Sequence, residues 1–554
     1  MSGSRAFAEM MHGYGVTHIF FVPAILAKAL AEMEDMPIKR IMTHGEKSAA
    51  YMADGFARAS GKPGICMAQS IGASNLAAGL RDGYLAGSPI IAITGGPATE
   101  SQYRNAYQEV EDFSQFNPVT KFNVTVDSTE RLPDLLRQAF REATSGEPRP
   151  VHLKLKHRTG QSIEQEAEID SRVEKTFMSV PAFRPEPEKS RVLEALDALY
   201  KSKRPVIVAG GGVVHSKAEK ELVEFAEKLQ IPVATSLRGK HSIVDSHPLA
   251  IGVSGSYSRE CANSALKEAD LVFFIGSHTG SHVTHFWKFP PLGMPVIQLD
   301  INPSELGRNY PNQVSILGDA KTTLQKMTDL AQKKPAHETI NWTTNVQKMV
   351  EKWRYENEPN RISNSIPIRP ERICREISEA LPPDGVLVSD TGHSGIWTGT
   401  MIELKYPTQR YIPCAGSLGW AFPGALGVKC ALPEKPVLGF TGDGGFYYHI
   451  AELETARRHN INLVMLVNNN SSLNQEITLN KVAYGGQPRG GWKDMWTFTD
   501  INFAKVAESF GCVGIRVDDP NKIQEAIKYA FSINRPVVID VVSDLNILAK
   551  RVPI

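Results

Sequence analysis

The sequence predicts an α/β chain of three domains, each an open, mostly parallel sheet with flanking helices. Three observations carry this. Short apolar or β-branched runs bounded by Pro, Gly or Asp recur along all 554 residues, helical patterns lie between them, and two polar stretches divide the chain into segments of similar size. Strands that alternate with helices indicate βαβ units and parallel sheets. At about 150 residues per domain, the length has room for three to four domains.

Taken in order, the strand candidates of the first segment are 38–43, 64–69, 89–94 and 150–155. Those of the second are 205–209, 232–236, 271–276 and 295–300, and those of the third are 385–390, 436–441, 462–468 and 536–542. Most are too apolar to have a wet face, as expected of strands covered on both sides. The spacing predicts helices over 46–59, 217–229, 450–459 and 521–532. Residues 157–190 are polar and contain RPEPEK at 184–189, and 332–366 are charged and Asn-rich. Read as linkers, they give domains over 1–165, 190–335 and 365–554. An Arg-Pro-Val strand start recurs at Arg149, Arg204 and Arg535, either as an internal echo or because Pro-Val is a common way to begin a strand.

Composition excludes several classes of function. Lys plus Arg is 61 and Asp plus Glu is 60, so there is no basic field to hold a nucleic acid. The six cysteines are never closer than sixteen positions, which leaves no zinc spacing and suggests reduced core thiols in a cytoplasmic setting. The start, MSGSRAFAEMMHGYG, lacks the pattern of a signal peptide. The longest apolar stretch, 19–27, is too short to span a membrane and contains Pro23.

The most informative segment is GDGGFYYHIAELETARRHNINLVMLVNNN at 442–470. Gly442, Asp443 and Gly444 follow a strand, and ligands of open α/β sheets bind at that edge. Gly444 and Gly445 can bring backbone N–H groups to phosphate oxygens. Asn470 emerges at the same edge 27 positions after Asp443. A carboxylate, an amide oxygen and a backbone carbonyl suit a hard divalent cation that completes its octahedron with phosphate. Asp443, Asn470 and Ser472 supply those groups, with Mg2+ as the expected ion.

This pattern resembles thiamine-diphosphate enzymes, and the resemblance extends over most of the chain to the acetolactate synthase (acetohydroxyacid synthase) and pyruvate-oxidase-like group. It is carried by HGEKSAAYMADGFARASGKPGICMAQSIGASNLAAGL at 44–80, NAYQEVEDFSQFNPVTKF at 105–122 and GSLGWAFPGALGVKCALPEKPVLGFTGDG at 416–444. It implies a pyrimidine-binding domain, a middle domain and a diphosphate-binding domain, with the cofactor held between subunits of a homodimer or homotetramer. Glu46 takes the place of the acid that hydrogen-bonds the aminopyrimidine, a role suited to a carboxyl in a dry, apolar site. His44 stands one residue further from that acid than is usual, open between proton donor and packing. Gly392, His393 and Ser394 fall where the diphosphate is met, and Leu418 where a bulky apolar residue bends the cofactor. Tyr107 and Gln108 fall on the loop facing the thiazolium, and Asn75 on a loop before the next helix.

The middle domain resembles one that binds FAD in acetolactate synthases. Gly210-Gly211-Gly212, GVSGSYS at 252–258 and Asp300 fit, but His278 replaces the motif arginine and cannot reproduce its fork. FAD, ADP, CoA or an empty fold remain open. After the metal motif, Leu479 stands where a lid tryptophan is expected, and Asn474 and Gln475 offer polar contacts near the reactive face. Trp492 and Trp496 either replace that aromatic or pack the lid. The implied function is a C–C carboligase or lyase acting on 2-keto acids, 2-hydroxy ketones or diketones. The alternatives are a 1,2-diketone hydrolase of the cyclohexane-1,2-dione hydrolase type, an acyl-CoA decarboxylase or lyase, and an inactive scaffold-like member.

Overall fold

Parallel pairing runs through three six-stranded sheets. The computed structural model describes residues 1–110, 114–332 and 336–550, so part of the 105–122 motif lies outside the described residues. In the first sheet β1 (His18–Phe21), β2 (Lys39–Met42), β3 (Gly64–Ala68), β4 (Ile90–Thr94), β5 (Phe122–Val126) and β6 (Val151–Leu155) lie in the order β2-β1-β3-β4-β6-β5. The second contains β7 (Pro205–Ala209), β8 (Val233–Thr235), β9 (Ala250–Val253), β10 (Leu271–Ile275), β11 (Val296–Asp300) and β12 (Val314–Leu317), ordered β12-β11-β10-β7-β8-β9. The third contains β13 (Val386–Ser389), β14 (Arg410–Pro413), β15 (Val437–Gly442), β16 (Val464–Asn469), β17 (Val513–Val517) and β18 (Val537–Val542), ordered β14-β13-β15-β16-β18-β17.

The first and third sheets therefore share one strand order, and Arg149 and Arg535 precede equivalent strands, β6 and β18. The middle sheet has the order of a dinucleotide-binding fold, with its crevice where the order reverses, between β7 and β10. In the third sheet the reversal lies between β13 and β15, whose ends carry Asp390 and Asp443.

The apolar cores cross the domain divisions. The helix Glu46–Ser60 lies against the helix Ala421–Ala431, and one core joins Tyr51, Met52 and Phe56 to Trp420, Ala425 and Phe446. The crossing is close because it is made at glycines. A Cβ on Gly55 would overlap the carbonyl of Gly424, and one on Gly427 would overlap the carbonyl of Met52. Gly55→Ala should therefore destabilise the fold by about 1–3 kcal/mol through overpacking; an unchanged urea midpoint would show that the helices can separate at no cost.

The stretch 332–366, expected as a linker, is instead largely the helix Ala336–Arg361. Trp342, Val346, Val350 and Trp353 bury its inner stripe, and Trp342 Nε1 donates to the carbonyl of Pro205 (3.0 Å). The helix is a wall of the core shared by the middle and third sheets.

Candidate active site

Asp443 begins the short helix Asp443–Tyr447, directly after β15, and is 2% exposed. Its Oδ1 accepts from the N–H of Gly444 (2.7 Å), and its Oδ2 from the N–H groups of Asn470 (3.1 Å) and Ser472 (3.0 Å). The Ser472 hydroxyl donates to Asn470 Oδ1 (2.8 Å). The three residues expected as metal ligands are thus brought together at one sheet edge. Burial pushes the Asp443 pKa up to about 6, against the N–H groups it accepts. A carboxyl raised by burial is returned to its charged form by a nearby cation.

The glycines beside it are set by close packing as well. Gly444 gives its N–H to Asp443, so that donor is not free for phosphate. A Cβ on Gly444 would sit 2.5 Å from Leu473, and one on Gly445 2.6 Å from Thr441 Oγ1 and 2.9 Å from Asp390. Close approach requires glycine at both positions. Gly442 has nothing nearer than Ser394 Oγ, at 3.7 Å from such a Cβ.

Asp390, which sequence reasoning missed, organises the neighbouring loop. Fully buried, it accepts from the N–H groups of Thr391 (2.8 Å), Gly419 (3.1 Å) and Ala421 (3.3 Å) and from Thr441 Oγ1 (3.0 Å). Burial pushes its pKa up to about 6. From the first domain, Asp82 accepts from the N–H groups of Ala415 (2.9 Å) and Ser417 (2.9 Å). Two buried carboxylates thus fasten the turn that carries Leu418. Asp390 sits between a strand and Thr-Gly, much as Asp443 sits beside Gly442, and that pattern could have revealed it. Asp82 lies within a helix and leaves no such trace.

Gly392 has φ 63° and leads into the helix His393–Met401, in which Ser394 is buried. A Cβ on Gly392 would lie 2.8 Å from Gln475 Oε1, which is itself buried without a partner. Asn474 differs from the expectation. Its Oδ1 meets His393 Nδ1 (2.9 Å), and its Nδ2 donates to the carbonyls of Leu545 (3.0 Å) and Ile547 (3.3 Å). Its amide is engaged with the protein, so of the two polar lid residues Gln475 alone keeps an oxygen to offer. Leu479 is 66% exposed, whereas Trp496 is buried beneath the lid with Trp492 against it (ring centroids 5.1 Å).

The first-domain residues make contacts of their own. Glu46 opens its helix and is half-buried, and its Oε2 accepts from Asn75 Nδ2 (3.2 Å). Asn75 lies within the first turn of the helix Ala73–Ala86, not on the preceding loop. His44 pairs with Glu454 (2.8 Å) and gives its N–H to Glu452 (3.0 Å). Gln108, at φ 60°, accepts from Arg158 (3.0 Å), and Tyr107 is 78% exposed beside it. Among the described residues no hydrogen bond joins Glu46 to Asp443, Asn470 or Ser472.

Comparison with known proteins matches residues 1–116 to "Thiamine pyrophosphate enzyme, N-terminal TPP binding domain", 192–327 to the central domain of that family and 390–541 to its C-terminal TPP binding domain. A "probable acetolactate synthase large subunit" of Methanocaldococcus jannaschii is 32% identical over 98% of this chain and 92% of its own length. A counterpart of the same description from Methanococcus aeolicus is 31% identical over 100% and 94%. The acetolactate synthase isozyme 3 large subunit of Escherichia coli is 28% identical over 98% and 95%.

Proposed function

The chain belongs to the thiamine pyrophosphate enzyme family, and we propose that it works as a carboligase or lyase of the acetolactate synthase type. Bound thiamine diphosphate supplies a nucleophilic carbon and an electron sink for making and breaking C–C bonds beside carbonyl groups. The observation that carries the reading is the meeting of Asp443, Asn470 and Ser472 where β15 and β16 of the third sheet end side by side. These residues fit a Mg2+ ion and would hold it against the diphosphate. The unpartnered oxygen of Gln475 lies beside Gly392. Leu418, hung from Asp390 and Asp82, would press on the cofactor body. Glu46 would hold and move a proton at the aminopyrimidine. With Glu46 and Asp443 in separate clusters of one chain, a homodimer or homotetramer would complete the site.

The middle domain suits a diphosphate poorly. At its switch point Glu147 lies 3.1 Å from His278 and also accepts from Arg149 (2.8 Å) and Asn302 (2.8 Å). Although burial opposes ionisation, His278, Asn302 and Arg149 bring the Glu147 pKa down to about 2. Asp300 ends the neighbouring strand, and the space left is about 70 Å3, against roughly 300–1,000 Å3 for ordinary ligand pockets. FAD, ADP and CoA all carry a diphosphate, and no step is assigned to any of them. Among the described residues no helix is long and apolar enough to cross a membrane, and five of the six cysteines are buried thiols, which supports a cytoplasmic setting.

For the substrate, the exposed Leu479 leaves a wider acceptor side than a tryptophan would, and Gln475 can pair with a hydroxyl or carbonyl. A site built to pair such a group rejects analogues that lack it. With thiamine diphosphate and Mg2+, kcat/KM is expected to be lower for pyruvate than for hydroxypyruvate, a 2-hydroxy ketone or a 1,2-diketone. If pyruvate proves the best substrate, plain acetolactate synthesis stands. If mass spectrometry finds no product from the whole panel, the enzyme reading falls to the scaffold-like alternative.

A further inference from the structure

A cavity of about 800 Å3 opens where the three domains meet, and neither Glu46 nor Asp443 lines it. Val214, Ile243, Tyr411 and Ile412 give it apolar walls, and Arg238 lies on its middle-domain side. The guanidinium lies against Gly211 in the glycine run that follows β7. A Cβ on Gly211 would be 3.4 Å from both Cζ and Nε of Arg238. That run, which the sequence suggested for a nucleotide, here makes room for an arginine.

Arg238 lacks a counter-ion. Its Nη1 is buried without a hydrogen-bond partner, and among the described residues no carboxylate forms an ion pair with it. The acids within electrostatic reach are already engaged. Glu147 is held by Arg149, His278 and Asn302, and Asp54 and Asp82 are held by Arg58. Burial, and then the charge of Arg58, lowers the Arg238 pKa to about 10, so the group remains a cation. A cation on a cavity wall without a counter-ion is unfavourable, and the planar fork of a guanidinium is matched by a carboxylate.

We propose that this cavity binds a small organic carboxylate with an apolar body, its head on Arg238 and its body against Val214, Ile243 and Ile412. The volume falls within the range of ordinary small-molecule sites, roughly 300–1,000 Å3, and exceeds what a bare inorganic ion fills. The site adjoins the active-site scaffold. Arg58, which also lines the cavity, donates to Asp54, to Asp82 and to the carbonyl of Pro413. Asp82 in turn holds the turn that carries Leu418.

Calorimetry on the full-length, cofactor-loaded protein tests this with 4-methylpentanoate, which has no keto group to engage the active site. The neutral 4-methylpentanamide, inorganic phosphate and ADP serve as comparison probes. The acid is expected to bind, and the amide at least tenfold more weakly. Arg238→Met should weaken the acid at least tenfold, and Val214→Trp, which crowds the apolar wall and keeps Arg238, should weaken it as well. The proposal is overturned if the acid does not bind at millimolar concentration, if either variant leaves its affinity unchanged, or if phosphate binds more tightly than the acid. Binding of ADP that is lost in Arg238→Met would also overturn it and give the arginine to a nucleotide.

Discussion

Asp443→Ala is expected to abolish tight thiamine diphosphate binding while the three sheets remain folded. Changes one shell out from a metal typically cost about 10–100-fold in affinity, and Asp443 is the charged member of the proposed ligand set itself. Without it the diphosphate would meet an uncompensated site, and the turns carrying Asn470 and Ser472 would lose the acceptor that draws their N–H groups together. Those N–H groups and that of Gly444 would then be unpaired, at about 1–3 kcal/mol each if they stay buried. Calorimetry should therefore be paired with a thermal melt. Asp443→Asn keeps an oxygen for Gly444 and should fold better, yet it too should bind cofactor poorly because the charge is gone. Normal affinity in either variant would remove Asp443 from the site. Rescue by excess Mg2+ alone would mean that another carboxylate is the main ligand.

How far the fold could be read from the sequence follows the burial of its strands. Every strand expected from an apolar run is present, and all but the edge strand β2 lie inside a sheet, where strands covered on both faces have few polar positions to interrupt them. Those left unread are β1, β5, β9, β12, β14 and β17, and all but β1 lie at the edge of a sheet. At an edge the run is broken, as in β5 (FNVTV) and β17 (VGIRV), where only the last residue is buried. The helix Ala336–Arg361 was hidden differently. Its stripe of Trp342, Val346, Val350 and Trp353 has helical spacing, but the charged residues between them give the stretch a linker's composition.

The candidate site was legible where backbone geometry demands particular residues and illegible where side chains meet across the fold. Asp443, Asn470 and Ser472 could be placed because two strands of one sheet end side by side, β15 against β16. Asp82 could not be placed, because its partners Ala415 and Ser417 lie more than three hundred positions away. Asn474 carries the same limit. The sequence suggested it for the cofactor's reactive face, but only the fold shows that Leu545 and Ile547 take up its amide.

Glu46→Gln should leave cofactor binding nearly intact and slow exchange of the C2 proton of bound thiamine diphosphate by roughly 10²–10⁴-fold, the usual contribution of a positioned acid or base. The substitution keeps length and shape, and glutamine Oε1 can still accept from Asn75. The helix that carries residue 46 is held by its crossing with Ala421–Ala431, so the geometry should survive. What is lost is a group that can give a proton to a ring nitrogen and take it back. Asn75→Ala makes the graded comparison: it frees the Glu46 carboxylate without removing it, and should slow exchange far less. The readout is NMR of the bound cofactor after mixing into D2O, alongside calorimetric affinity on the same sample. An unchanged exchange rate in Glu46→Gln would assign the proton to another acid. Equal losses of exchange and affinity would make Glu46 an anchor for the pyrimidine rather than the residue that moves its proton.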